Sequence, residues 1–253
     1  MATAMITGAT SGIGLAFAHH MAARGMDLVL VARDAPRLEQ VAKRLRLSGV
    51  DVEVLPADLA VREQVDVLVH RLEDQQQPVA LLVNNAGFGI ETPLASADTS
   101  VHDAALEVMC RSVLVLGGAA ARSMQPRGAG AIINVASSAG FVALGGYSAI
   151  KAWVITYTEG LAVELHGTGV RPMALCPGWV HTEFHQRSGM RTDAIPSWLW
   201  LDVDEVVEEA LSDLAMGRVI SIPSLRYRVL MTIARHAPRS AIRTVMRAMD
   251  RRR

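Results

Sequence analysis

Tyr147 and Lys151 stand four residues apart, a spacing that puts both on one face of a helix. A phenol titrates near ~10 and is a poor base at neutral pH. An ammonium close by stabilises the phenolate and lowers that value. Lysine brings three rotatable donors and can release a proton; arginine cannot. The lysine stands out here, because Lys43 and Lys151 are the only two in the chain and the other 23 basic residues are Arg. Lys43 reads as a solvated helix position.

A second constellation handles anions. Thr7-Gly8-Ala9-Thr10-Ser11-Gly12-Ile13-Gly14 follows an apolar run and opens a helical pattern. Glycines there let backbone approach a pyrophosphate, and the helix N-terminus supplies N–H groups and positive dipole. The spacing is Gly-x3-Gly-x-Gly rather than the common Gly-x-Gly-x-x-Gly. The next apolar run ends Val31-Ala32-Arg33. An acid at that point would bind a ribose 2′-hydroxyl, whereas Arg33 offers a planar donor set for a 2′-phosphate. NADP(H) is therefore the expected cofactor. NAD(H) stays open through Asp34, should that side chain point inward.

The elements that must position these residues show as an alternation. Strand-like runs cover 2–7, 28–32, 50–55, 79–83, 130–135, 170–175 and 218–222. Each is apolar on both faces, as buried parallel strands are. Helical stretches fill 12–24, 36–48, 60–75, 100–124, 147–166 and 203–215. Asp34 and Asp202 suit N-caps, and Pro36 suits a first turn. Repeated alternation predicts right-handed crossovers and an α/β, Rossmann-type, doubly wound parallel sheet. Residues 183–200 interrupt the rhythm and read as a lid, inside a catalytic domain of 1–225.

In order along 3–182, these motifs resemble the short-chain dehydrogenase/reductase family in its compact single-domain branch. They are the Thr7–Gly14 loop, Asp58, Asn84-Asn85-Ala86-Gly87, Ser137, Tyr147-x3-Lys151, Pro177-Gly178 and Thr182. The resemblance implies about seven strands and an oxidoreductase that moves a hydride between NADP(H) and a carbonyl or secondary alcohol. It implies Asp58 near the adenine, Asn85 and Gly87 along the cofactor groove, and Leu59 and Ala86 as further cofactor contacts. It places Thr182 near the nicotinamide carboxamide, with Pro177, Gly178 and Val180 as further cofactor contacts. Ser137 would donate to the carbonyl oxygen as charge develops. Tyr147 would exchange the proton, and Lys151 would also hold the ribose. Homo-oligomers are common in the family, and Gly117-Gly118-Ala119-Ala120-Ala121 allows close helix approach.

Two departures stand against that pattern. Ser137 precedes Tyr147 by an interval slightly short for the family, which Gly145-Gly146 can close. The family's relay asparagine falls at or near Met109, and methionine has no useful donor. Two readings follow: main-chain carbonyls and Lys151 hold the relay water and activity survives, or the protein binds cofactor with weak or no turnover. The first is preferred because Ser137, Tyr147 and Lys151 remain.

Around the substrate, Trp179, Phe184, Met190, Ile195, Trp198 and Trp200, with Phe141 and Leu144 opposite, suggest an apolar, lipid-like or polycyclic substrate. A lid packed on the core would need the same residues. His181 and His185 receive no role. With 25 basic and 25 acidic residues the chain is formally neutral, which argues against general nucleic-acid binding. Yet residues 226–253 hold nine Arg against Asp250. Arg239, Arg243, Arg247 and Arg251 form one stripe of a helix, and Ile242, Val245, Met246 and Met249 form the opposed apolar face. This basic extension fits a docked helix, a subunit arm or peripheral contact with a membrane. Cys110 and Cys176 lie far apart with no metal or disulfide spacing. No signal peptide and no apolar run near ~20 residues are visible, so the expected localisation is cytoplasmic.

Overall fold

The computed structural model describes residues 2–184 and 195–250. Seven parallel strands form one sheet: β1 (Thr3–Thr7), β2 (Asp27–Ala32), β3 (Val52–Pro56), β4 (Val79–Asn84), β5 (Gly130–Val135), β6 (Val170–Leu175) and, after the short pair β7 (Trp179–Val180) and β8 (Trp200–Leu201), β9 (Ile220–Ser221). The spatial order is β3-β2-β1-β4-β5-β6-β9. Reversal between β1 and β4 creates a crevice at the strand C-termini, where ligands of open α/β sheets bind. The strands are apolar on both faces because helices cover both. Met5 and Val29 belong to one core layer, Ile6 and Leu30 to the other.

The helices are α1 (Gly12–Ala23), α2 (Ala35–Arg46), α3 (Arg62–Glu73), α4 (Ser100–Leu106), α5 (Ser112–Met124), α6 (Gly145–Glu164), α7 (Val203–Ala215), α8 (Leu225–His236) and α9 (Arg239–Asp250). The doubly wound reading from the sequence holds, and most boundaries move by only one or two residues. The largest difference lies in 100–124, where a single helix was expected. There α4 and α5 are joined by a π-turn over Glu107–Arg111. The run Ser100–Arg127 has the length and hydropathy to cross a membrane by composition alone. Its Leu116, Ala119, Ala120 and Met124 are instead fully buried against the sheet. Asp34 and Asp202 do cap α2 and α7, accepting main-chain N–H bonds at 3.0 Å from Arg37 and 2.8 Å from Asp204.

The small-residue stretch 117–121 packs inside the subunit. A Cβ on Gly117 would stand 2.6 Å from the Tyr157 hydroxyl oxygen, so close approach is already used between α5 and α6. Of the expected lid, residues 185–194, with His185 and Met190, lie outside the described residues. So do residues 251–253 with Arg251, and the side chains of Arg239, Val245, Arg247 and Met249.

Candidate active site

The crevice opens into a cavity of about 1250 Å³ that runs from Arg33 and Asp58 at one end to Tyr147 and Lys151 and on to α8 and α9. Every residue proposed from the sequence as a cofactor contact lines it, except Gly14. Gly14 instead lets α1 meet the loop: a Cβ there would lie 2.4 Å from the Gly8 carbonyl oxygen. Gly8 and Gly12 adopt φ of +67° and +55°, a region only glycine enters freely. Facing Gly12 is Thr182, whose Cβ would sit 3.3 Å from a Cβ at Gly12. The first strand–helix loop and the segment after β6 thus form two lips of one groove.

Asn85 has a different job from a ligand donor. Its amide nitrogen donates to the Thr7 and Gly8 carbonyls at 2.9 and 3.3 Å, while Thr7 Oγ1 accepts from the Asn85 and Ala86 N–H groups at 2.9 and 3.0 Å. The side chain ties the ends of β1 and β4 and leaves main chain to line the groove. At the end of the cavity beside β2, Arg33 is largely exposed, with Nη1 3.9 Å from Asp58. Arg37, one helical turn on, donates from one nitrogen to both Glu183 oxygens at 3.1 and 3.2 Å.

The reactive end is held by α6. Gly145, at φ +70°, closes the short interval that separates Ser137 from Tyr147, after a 3-10 turn over Ser138–Phe141. Ser137 lies close enough to the Tyr147 hydroxyl to interact with it, and Ser137 Oγ accepts from Ala139 N–H at 3.1 Å. Lys151 is buried, donates to the Val135 carbonyl at 2.8 Å, and lies 5.6 Å from the Tyr147 ring centroid. A network that sequence reading missed locks α6 to the sheet. Asn84 donates to Asn134 at 2.9 Å, Asn134 to Thr158 at 3.0 Å, and Thr158 to the Val154 carbonyl at 2.7 Å. The visible signal was an asparagine near the end of each of two adjacent apolar strands, where buried amides need partners.

Burial pushes the Tyr147 phenol up, against a smaller downward pull from Ser137. Burial also lowers Lys151 to about 8. The protein alone therefore keeps the phenol protonated and leaves the ammonium poorly solvated. Ribose hydroxyls would give that ammonium hydrogen-bond partners, and positive charge beside the phenol would pull its value back down. The groove fits a dinucleotide on its own terms: glycine cradles at the helix N-terminus, a long continuous cavity, and a buried lysine with spare donors at its far end.

Met109 sits in the π-turn and is 1 % exposed. A Cβ on Gly87 would lie 2.9 Å from its sulfur and 3.8 Å from Lys151 Nζ. The thioether thus shares the space around Gly87 with the lysine, at or near the position where the resemblance puts an asparagine.

A family model described as short chain dehydrogenase matches residues 2–192. The chain belongs to the short-chain dehydrogenase family. An uncharacterized oxidoreductase of Staphylococcus saprophyticus is 37 % identical over 183 residues, covering 71 % of this chain and 78 % of the relative. A short-chain dehydrogenase from Sphingobium yanoikuyae, solved in complex with NADPH, superposes with a TM-score of 0.84 at 34 % identity, covering 91 % and 92 % of the two chains. A bulky-bulky ketone specific alcohol dehydrogenase from Comamonas testosteroni gives 0.79 at 32 %, covering 91 % and 90 %. This short-chain dehydrogenase is an oxidoreductase that transfers hydride with a nicotinamide cofactor and acts on small molecules.

Beyond Tyr147 the cavity wall is apolar, but it is not built from the whole set singled out in the sequence. Trp179, Phe184, Trp198 and Leu144 line the cavity; Phe141, Ile195 and Trp200 do not. Trp200 stacks on His181 at 4.6 Å and tilts against Trp179 at 5.9 Å. Phe141 lies beneath Arg235 at 5.5 Å. Sequence reading missed Tyr227, Leu230, Met231, Ala234, Ile242 and Met246, which supply the remaining wall from α8 and α9.

Proposed function

We propose that this short-chain dehydrogenase is an NADP(H)-dependent reductase of bulky apolar ketones, or the matching secondary-alcohol dehydrogenase. The observation that carries the reading is the continuity of one cavity from Arg33 past Tyr147 to the apolar wall of α8 and α9. Asp34 supports the cofactor choice, because one of its carboxylate oxygens caps α2, while Arg33 remains exposed at the groove. Gly8, Thr10, Gly12, Asp58 and Thr182 would hold the dinucleotide, with Lys151 on its ribose. When bound, the nicotinamide supplies or accepts the hydride.

Ser137 and Tyr147 converge on the position a carbonyl oxygen would take. Ser137 donates to it, and Tyr147 delivers the proton in reduction or removes it in oxidation. Lys151 stabilises the phenolate form as that proton leaves. Met109 offers no proton path; the Val135 carbonyl, which accepts from Lys151, and the lysine itself would hold the relay water instead, and the presence of Ser137, Tyr147 and Lys151 together favours an active enzyme over a silent cofactor-binding protein. Leu106, Leu114 and Trp153, all exposed around one shallow apolar hollow of about 430 Å³, support self-association through α4, α5 and α6.

The test is a fluorescence titration with NADPH and NADH, then initial rates on a panel of aryl and polycyclic ketones. NADPH should bind more tightly, and bulky ketones should outpace small polar aldehydes. Tyr147→Phe should keep NADPH affinity and lose at least ~100-fold in turnover. Equal rates for native and variant chains would remove the catalytic reading.

A further inference from the structure

The outer face of the C-terminal helices carries features that the cavity does not explain. On α8, buried Tyr227 and half-buried Met231 and Ala234 mark the inner side. Leu225, Val229 and Ile233 recur every four residues along the opposite side. These three are 71 %, 52 % and 62 % exposed. Large apolar side chains in a row on a solvent-facing helix differ from the scattered ones every protein shows. Ile233 and Trp198 belong to both surfaces: each lines the cavity, yet each is more than half exposed. The cavity therefore opens through the same apolar rim.

The same segment of sequence is strongly basic. Residues 226–253 hold nine Arg and one acid in a chain that is neutral overall. Within the segment, Arg228 pairs with Glu209 and Arg235 covers Phe141, which still leaves a large positive excess, including exposed Arg243. A second copy of the chain is a poor occupant, since facing two such segments sets like charges together. Nucleic acid would use the arginines but leave the aliphatic stripe in water. An anionic lipid surface satisfies both, with headgroups on the arginines and acyl chains under Leu225, Val229 and the Trp198 ring.

We propose that α8 and α9 seat this enzyme on anionic bilayer surfaces, so that an apolar substrate enters the cavity from the lipid phase. The seat stands independently of the catalytic reading; only the entry route rests on the apolar-ketone assignment.

Flotation of the full chain with phosphatidylcholine vesicles, with and without phosphatidylglycerol, tests it. The chain should float with the anionic vesicles only, and raised salt should release it. Leu225→Ser/Val229→Ser and, separately, Arg239→Gln/Arg243→Gln/Arg247→Gln should each cut bound protein by at least ~10-fold, with NADPH affinity retained as evidence of folding. Native protein that stays unbound on anionic vesicles, or variants that float like the native chain, would overturn the seat. So would a fall in assembly mass in the Leu225/Val229 variant, read by light scattering, without native flotation; that outcome assigns the face to a second copy. For the entry route, the Leu225/Val229 variant should match native rates on a water-soluble ketone and lag on one dissolved in vesicles. Equal rates on both would overturn the route while leaving the seat intact.

Discussion

The Tyr227 ring fills the space above Gly178: a Cβ on that glycine would stand 1.9 Å from the ring's Cζ. The Tyr227 hydroxyl donates to the Leu199 carbonyl at 2.8 Å and accepts from Trp179 N–H at 3.0 Å. One side chain thus joins α8, the strand pair β7–β8 and the Pro177-Gly178 loop that lines the cavity.

Gly178→Ala should therefore expel the ring and weaken two functions together. We expect a loss of roughly 1–3 kcal/mol in stability from overpacking, with a raised KM for ketone as α8 shifts. Tyr227→Phe, which keeps the ring but strands two polar partners, should cost about 1–3 kcal/mol and leave cofactor affinity near native. Thermal melts and titrations on the two variants separate these outcomes.

Lys151 should show a signature in stability against pH. Its folded value, about 8, lies below its ordinary 10.5. Below about 8 both folded and unfolded chains hold the proton, and the fold bears the full cost of a buried ammonium. Between the two values the folded chain has released it and the unfolded chain has not, so stability rises with pH. Lys151→Met removes this dependence. The native chain should gain about 3 kcal/mol relative to the variant between neutrality and pH 10.5, read from denaturant melts of the cofactor-free proteins. Turnover of Lys151→Met should be lost at every pH.

Met109 packs rather than reacts, so Met109→Leu should keep turnover within about threefold, since volume and apolarity are preserved. Met109→Asn places an amide in the apolar cluster of Ala105, Cys110 and Ile150. Its melting point should fall, with roughly 1–3 kcal/mol lost. A rise in kcat for that variant would show that proton relay limits the native enzyme.

Arg37 is shared between the cofactor end and Glu183. Glu183→Gln weakens that pair and frees the guanidinium for a 2′-phosphate. NADPH affinity should rise about two- to fivefold, the scale of a half-exposed ion pair, with NADH unchanged. Arg33→Ala should do the reverse, weakening NADPH alone. Isothermal titrations with both cofactors check the two variants side by side.

Much of this was legible in the order of residues. Buried parallel strands write themselves as runs apolar on both faces, and crossover helices as the stretches between, so the layer architecture followed from periodicity. Tyr147 and Lys151 could be paired because a helix of known pitch is a local object. Gly8, Gly12 and Gly14 could be read because close backbone approach excludes other side chains. Tertiary structure alone decided what depends on distant segments meeting. Asn85 turned out to brace Thr7 and Gly8, because strands far apart in sequence end side by side. The 117–121 stretch went to Tyr157 within the subunit. The π-turn that seats Met109 beside Lys151 breaks a helix whose sequence reads as regular. Above all, the second wall of the cavity came from α8 and α9, whose arginine-rich sequence advertises a surface. Their inner face is recognisable only once Tyr227 is seen on Gly178, since amphipathic periodicity shows that a helix has two faces but not what each face meets.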